Sequence, residues 1–237
     1  ISIDIVNSTA DLSSYKLIIA PALHLVTDAT AKNLKHFVQA GGTLVVTQRT
    51  GVKDESNTVV NQRLPGLLAE VCGVEVEDYD SLGSHMQNSL EFTIPELVDG
   101  DCATVGVLCD ILKPNGATVV ARYTQDYYAG KPAITLNQFG AGRAIYIGAV
   151  GDEHLYDPLA QWLLNTNGLQ DTFAAPPGVE VARRMQGGKS LRFILNHNDK
   201  AQTVHLERPY INLLNRMPYE GDVHMDPFDV LILVRSK

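Results

Sequence analysis

The chain is poor in cysteine, in positive charge and in long apolar runs, and each shortage removes a class of function. Its three cysteines, Cys72, Cys102 and Cys109, form no CxxC pair and are odd in number. That excludes a disulfide framework or cysteine zinc site as the natural reading and suits reduced thiols in a cytoplasmic protein. Lysine and arginine total 19 against 27 acidic residues, for a net charge of -8. No basic cluster overrides that field, so nucleic acid is not an expected partner. No apolar run approaches the ~20 residues that cross a bilayer, and the first residues lack the basic and apolar regions of a signal peptide. A membrane partner is therefore not expected either.

What is present is an α/β unit. Two unrelieved apolar runs, Leu17 to Ala20 and Leu44 to Val46, read as strands covered on both faces. Between them Ala31, Leu34, Phe37 and Val38 recur at helical spacing behind Thr27 as N-cap and Asp28 in the first turn, and Gly41 and Gly42 end the helix. Strand, helix, strand makes a right-handed crossover joining parallel strands. The alternation Ile1, Ile3, Ile5 reads as a further strand, with Val6 to Tyr15 too short to hold a crossover helix. A strand and helix of the same sheet are accordingly expected upstream of Ile1.

Thr50 to Arg63 reads as a surface loop. A short helix follows, with Pro65 near its start, Leu67, Leu68 and Val71 as its buried stripe, and Gly73 as its stop. Val74 to Glu77 reads as a short strand and Asp80 to Asn88 as loop. Short runs then alternate with turn signals: Val105 to Leu112, Thr118 to Tyr123, Ala133 to Asn137 and Arg143 to Gly148, expected as antiparallel strands extending the sheet. A last helix, Glu153 to Asn165, places Leu155, Leu159, Trp162 and Leu163 on one face. Ala174 to Gly178, with two prolines before a glycine, is the clearest linker. Beyond it the runs Val179 to Arg183, Leu191 to Asn196, Thr203 to Glu207, Tyr210 to Leu214 and Val230 to Val234 predict a small all-β sandwich. The expected domains are 1–173 and 178–237, with 174–177 between them.

Few residues carry chemistry. Gly140-Ala141-Gly142 has the opening of a dinucleotide fingerprint, but a strand follows where a helix is needed, so a hairpin turn is expected. None of the cysteines sits on a small-residue elbow, and all three are expected to be buried structural thiols. The histidines, His24, His36, His85, His154, His197, His205 and His224, show no metal-ligand spacing. His24 stands out, because it follows the strand Leu17 to Ala20 where parallel sheets bind ligands. Accordingly no catalytic, cofactor-binding or metal residue is assigned.

A set of short segments in fixed order resembles one family. Asp11 to Leu23, Phe37 to Leu44, Gly51 with Asp54-Glu55, Pro65-Gly66, Tyr127 to Ala133, and Phe139 to Arg143 with Tyr146-Ile147-Gly148 are similar to the trimerisation domain of family 42 glycoside hydrolases, the bacterial β-galactosidases. Phe193 to Asp199 and Pro227 to Leu233 resemble the family's small C-terminal β domain. The resemblance implies a three-layer, flavodoxin-like fold of the class I glutamine amidotransferase type, lacking here its first strand and helix and without that class's nucleophile. It also implies a homotrimeric parent that hydrolyses terminal β-galactosides by a retaining mechanism in an upstream TIM barrel, with this chain inactive alone and the galactoside reached only through the barrel. Two other readings are an amidotransferase-like hydrolase with an unconventional site near His24, and a carbohydrate-binding module using Tyr210, Tyr219 and Phe228.

Overall fold

Strands Leu17–Ala20 (β1) and Thr43–Thr47 (β2) are parallel, with Ile18 opposite Leu44 and Ala20 opposite Val46, and helix Asp28–Gln39 (α1) connects them. In this computed structural model, which describes residues 3–97, 102–169 and 173–235, α1 starts where expected: the Thr27 side chain accepts the Thr30 N–H at 3.2 Å. Ala31, Leu34, Phe37 and Val38 form its buried face. Burying each larger side chain contributes roughly 1.5–3 kcal/mol. Ile1 falls outside the described residues, and Ile3 and Ile5 are exposed and irregular, so the expected strand is not formed there.

After the loop comes a 3-10 turn, Gly66–Leu68, running into the short helix Ala69–Cys72 (α2), which Gly73 ends in the left-handed region at φ 58°. Leu68 and Val71 are buried, whereas Leu67 is 41% exposed and does not belong to the stripe. Then follow Val74–Ser81 (β3), Asn88–Phe92 (β4), Ala103–Pro114 (β5), Thr118–Tyr123 (β6), Pro132–Phe139 (β7), Gly142–Ile147 (β8), Ala149–Gly151 (β9) and helix Glu153–Thr166 (α3). The sheet order is β1-β2-β8-β7-β6-β4-β5-β3, with β9 on β5.

Strand β8 is the pivot. It runs parallel to β2 and antiparallel to β7, so the expectation of purely antiparallel pairing holds on one side only. Past Gly148 the chain continues as β9 onto β5, and the circuit β8/β9, β7, β6, β4, β5 closes on itself. Inside it lie Leu90, Val105, Val120, Tyr123, Ile134 and Ile145, with Leu155, Leu159, Trp162 and Leu163 of α3 completing the cluster. A second cluster fills the space between α1, α2 and the other sheet face, through Leu34, Phe37, Leu44, Val46, Leu68 and Tyr146.

The chain divides into two compact units, Val6–Gly168 and a second made of Leu169–Lys237 with Ile1–Ile5. The second contains strands Val179–Gln186 (β10), Lys189–Asn196 (β11), Gln202–Asn212 (β12), Pro218–Met225 (β13) and Val230–Arg235 (β14). Where a sandwich of two sheets was expected, these form one antiparallel sheet in the order β10-β11-β14-β12-β13. Ile194, Val204, Leu206, Met225 and Leu233 make its core, and Phe173 packs against it. Asn196 pins the turn after β11: its Nδ2 donates to the carbonyls of Lys200 and Asp226, both at 2.9 Å.

Candidate functional site

In an open parallel sheet the chemistry belongs beyond the carboxyl ends of the strands. Here the loops leaving β1 and β2 are tied together. The Ala22 N–H donates to Thr47 Oγ1 at 2.7 Å and the Leu23 N–H to Thr50 Oγ1 at 3.1 Å. Two residues past β2, Arg49 adopts φ 64°. A side-chain-bearing residue held in the left-handed region at a strand end shares one feature with nucleophile elbows, although here a loop follows and not a helix. The residue at this turn is arginine, a side chain that offers N–H donors and no acceptor. Its side chain lies 5.9 Å from the ring centre of Tyr79.

Beneath the elbow is Asp110, 1% exposed. Its Oδ2 accepts the Tyr146 hydroxyl at 2.7 Å, its N–H donates to the Gly148 carbonyl at 2.6 Å, and its carbonyl accepts the Tyr123 hydroxyl at 2.9 Å. Burial pushes the Asp110 carboxyl up to about 6, against the opposing pull of the Tyr146 hydroxyl and of Arg49. Burial likewise raises the Tyr146 phenol, with Asp110 adding to it. Sequence reasoning missed both Arg49 and Asp110; Arg49 shares its left-handed φ at a strand end with Ala22, two residues past β1, and Asp110 is marked by its burial.

Two of the three thiols are buried. Burial takes Cys72 up to about 12 and raises Cys109 as well. Cys102 is exposed, contrary to the expectation that all three are buried. His24 does lie beyond β1, half-buried, with its carbonyl accepting the Lys53 N–H at 2.9 Å. No acid, base or nucleophile is brought to it by any interaction observed among the described residues. Four other histidines face carboxylates on the surface: His154 with Asp152, His197 with Glu180, His205 with Asp222 and His224 with Asp226. Among the described residues no group of three or more metal-ligating side chains gathers.

The GxG stretch is a hairpin, with Phe139 paired to Gly142 across a two-residue turn. Gly140 takes φ 62° at the first turn position, and a Cβ on Gly142 would sit 2.3 Å from the carbonyl oxygens of Val38 and Gly42. Both glycines are thus explained by the turn and its packing on α1. In the second unit Tyr210 is 7% exposed and Tyr219 packs on the core, so of the three aromatics named for a platform Phe228 alone, 66% exposed, faces solvent.

These features define a class: a mixed-sheet α/β unit with arginine at its elbow, followed in the same chain by a five-stranded β unit. Residues 1–170 match the family model described as β-galactosidase trimerisation domain, and residues 178–235 the one described as β-galactosidase C-terminal domain. The chain belongs to the family 42 β-galactosidases. It is 30% identical over 99% of its length to β-galactosidase BgaP of Planococcus sp. (strain L4), covering 35% of that protein. With BgaA of Clostridium cellulovorans it shares 35% identity over 83% of its length, covering 29% of that protein. Among solved structures, β-galactosidase from Bacillus circulans sp. alkalophilus superposes with a TM-score of 0.90 at 32% identity, over 98% of this chain and 35% of that one. The chain spans about a third of the length of these relatives, and the described residues contain no catalytic barrel.

Proposed function

We propose that this chain is the assembling, non-catalytic region of a β-galactosidase that hydrolyses terminal β-galactosides with retention in a TIM barrel outside these residues. Residues 1–173 hold three subunits together, 174–177 link, and 178–237 brace the assembly as a small β domain. No residue here serves as catalyst, cofactor holder or metal ligand. The first unit is a variant of the amidotransferase-like fold, and Arg49 at the elbow is the observation that carries this reading. Arg49 holds a φ of 64° two residues past β2, and a side chain there that is no nucleophile supports a strand-end turn kept without the chemistry. Reduced, unpaired cysteines support a cytoplasmic setting, and the net charge of -8 supports a protein partner over nucleic acid.

Sedimentation velocity of the full-length protein tests the assembly. A trimer at micromolar concentration is expected, and a stable monomer with full β-galactosidase activity would overturn the proposal.

A further inference from the structure

A ring of three identical subunits cannot be closed by one self-complementary patch; it needs two different surfaces on each copy, one fitting the other. The first unit offers such a pair. On one side stands Tyr127, 70% exposed. It is not a loose side chain. Asp126 holds a left-handed φ of 66° and its Oδ1 accepts the Tyr127 N–H at 2.7 Å. The Tyr127 ring meets Tyr128 edge to face at 4.9 Å, and Tyr128 is itself buried against Tyr123 and donates its hydroxyl to Asp80 at 3.1 Å. Desolvation and the nearby carboxylates Asp78, Asp80 and Asp126 raise the Tyr127 phenol. The result is a rigid aromatic knob in a negative rim, of the kind that loses little side-chain entropy on docking.

At the amino ends of β1, β2 and β8 lies a groove of about 600 Å³. Lys16, His36 and Arg143 line it, against a single acidic residue, Asp11, which already accepts the Ser13 N–H. Arg143 is held in position, with its Nε donating to Thr43 Oγ1 at 3.2 Å and its guanidinium 6.0 Å from the Trp162 ring centre. In a chain of net charge -8, this is a locally basic concavity matched in sign to the acidic rim of the knob.

We propose that the Tyr127 knob of one copy docks in the Lys16–Arg143 groove of the next, closing a head-to-tail ring of three. This rests on the trimer reading above and adds to it which surfaces meet. The full-length protein is compared by sedimentation velocity with a knob variant, Tyr127→Ala with Asp126→Asn, and a groove variant, Lys16→Glu. Thermal melts confirm that each is folded. Each variant is expected to raise the concentration for half-assembly at least roughly thirtyfold, the effect of losing a central interface contact. Mixed in equal amounts at high concentration, the two should form a 1:1 dimer, since each keeps the half the other lacks. If the parent is a trimer and both folded variants stay trimeric at the parent's concentrations, or if the mixture stays monomeric, this pairing is wrong and the trimer reading survives. A monomeric parent overturns both.

Discussion

Asp110 is a buried carboxylate, and its effect on stability has a definite sign. The folded chain holds the carboxyl proton up to about pH 6, whereas the reference value is 3.8. The folded state therefore binds more protons between those limits, and the stabilisation it gains is complete below pH 3.8 and lost as pH rises through 6. Two units correspond to about 3 kcal/mol at most. Asp110→Asn keeps an oxygen to accept the Tyr146 hydroxyl and removes the buried charge. The variant is expected to be more stable than the parent at pH 7.5, by up to about 3 kcal/mol, with the gap closing toward pH 4. Urea unfolding at a series of pH values measures this, and parallel pH profiles for the two proteins would rule it out. No pattern in the sequence marks Asp110 beforehand, because one carboxylate inside the strand Ala103–Pro114 reads equally well as a solvent-facing residue.

At the scale of elements, the join between α1 and the β7–β8 hairpin is the tightest point of the first unit. A Cβ on Gly142 would meet two backbone oxygens at 2.3 Å, and backbone cannot turn aside as a side chain can. Gly142→Ala is expected to cost about 1–3 kcal/mol through enforced backbone shifts. Gly83→Ala, where the nearest atom is 3.9 Å away at the end of Met86, should stay within about 0.5 kcal/mol. Equal losses in chemical denaturation would show that the join is softer than the geometry implies. The α1 unit was legible because capping, helical spacing and flanking apolar runs all agree on it. Strands β4 and β13 escaped notice for opposite reasons. Asn88–Phe92 opens inside a polar stretch, and Pro218–Met225 begins with proline and carries Gly221 at φ 68° opposite a register shift in β12. Pairing partners were less legible still. Arg143 to Gly148 shows its strand character plainly, but the parallel pairing with β2 depends on residues far earlier in the chain, Thr43 lying opposite Arg143.

At the scale of the whole molecule, the elbow separates architecture from activity. Arg49 holds left-handed backbone strain at a strand end although its side chain is no nucleophile. Strain of this kind costs about 1–3 kcal/mol and persists only where the surroundings enforce it. Here the surroundings are the ties from Ala22 and Leu23 to Thr47 and Thr50, and Asp110 packed below. The turn thus sits where two strand-end loops are held in a fixed relation. Purified alone, the chain is expected to show no turnover of a chromogenic β-galactoside above a buffer blank, with Arg49→Ala no different. On the proposed division of labour, Arg49→Ala in the full-length protein should lower the melting temperature while leaving kcat of the assembled protein within about twofold. A tenfold fall in kcat with assembly intact would place Arg49 in the catalytic machinery and reverse the division of labour between this region and the barrel.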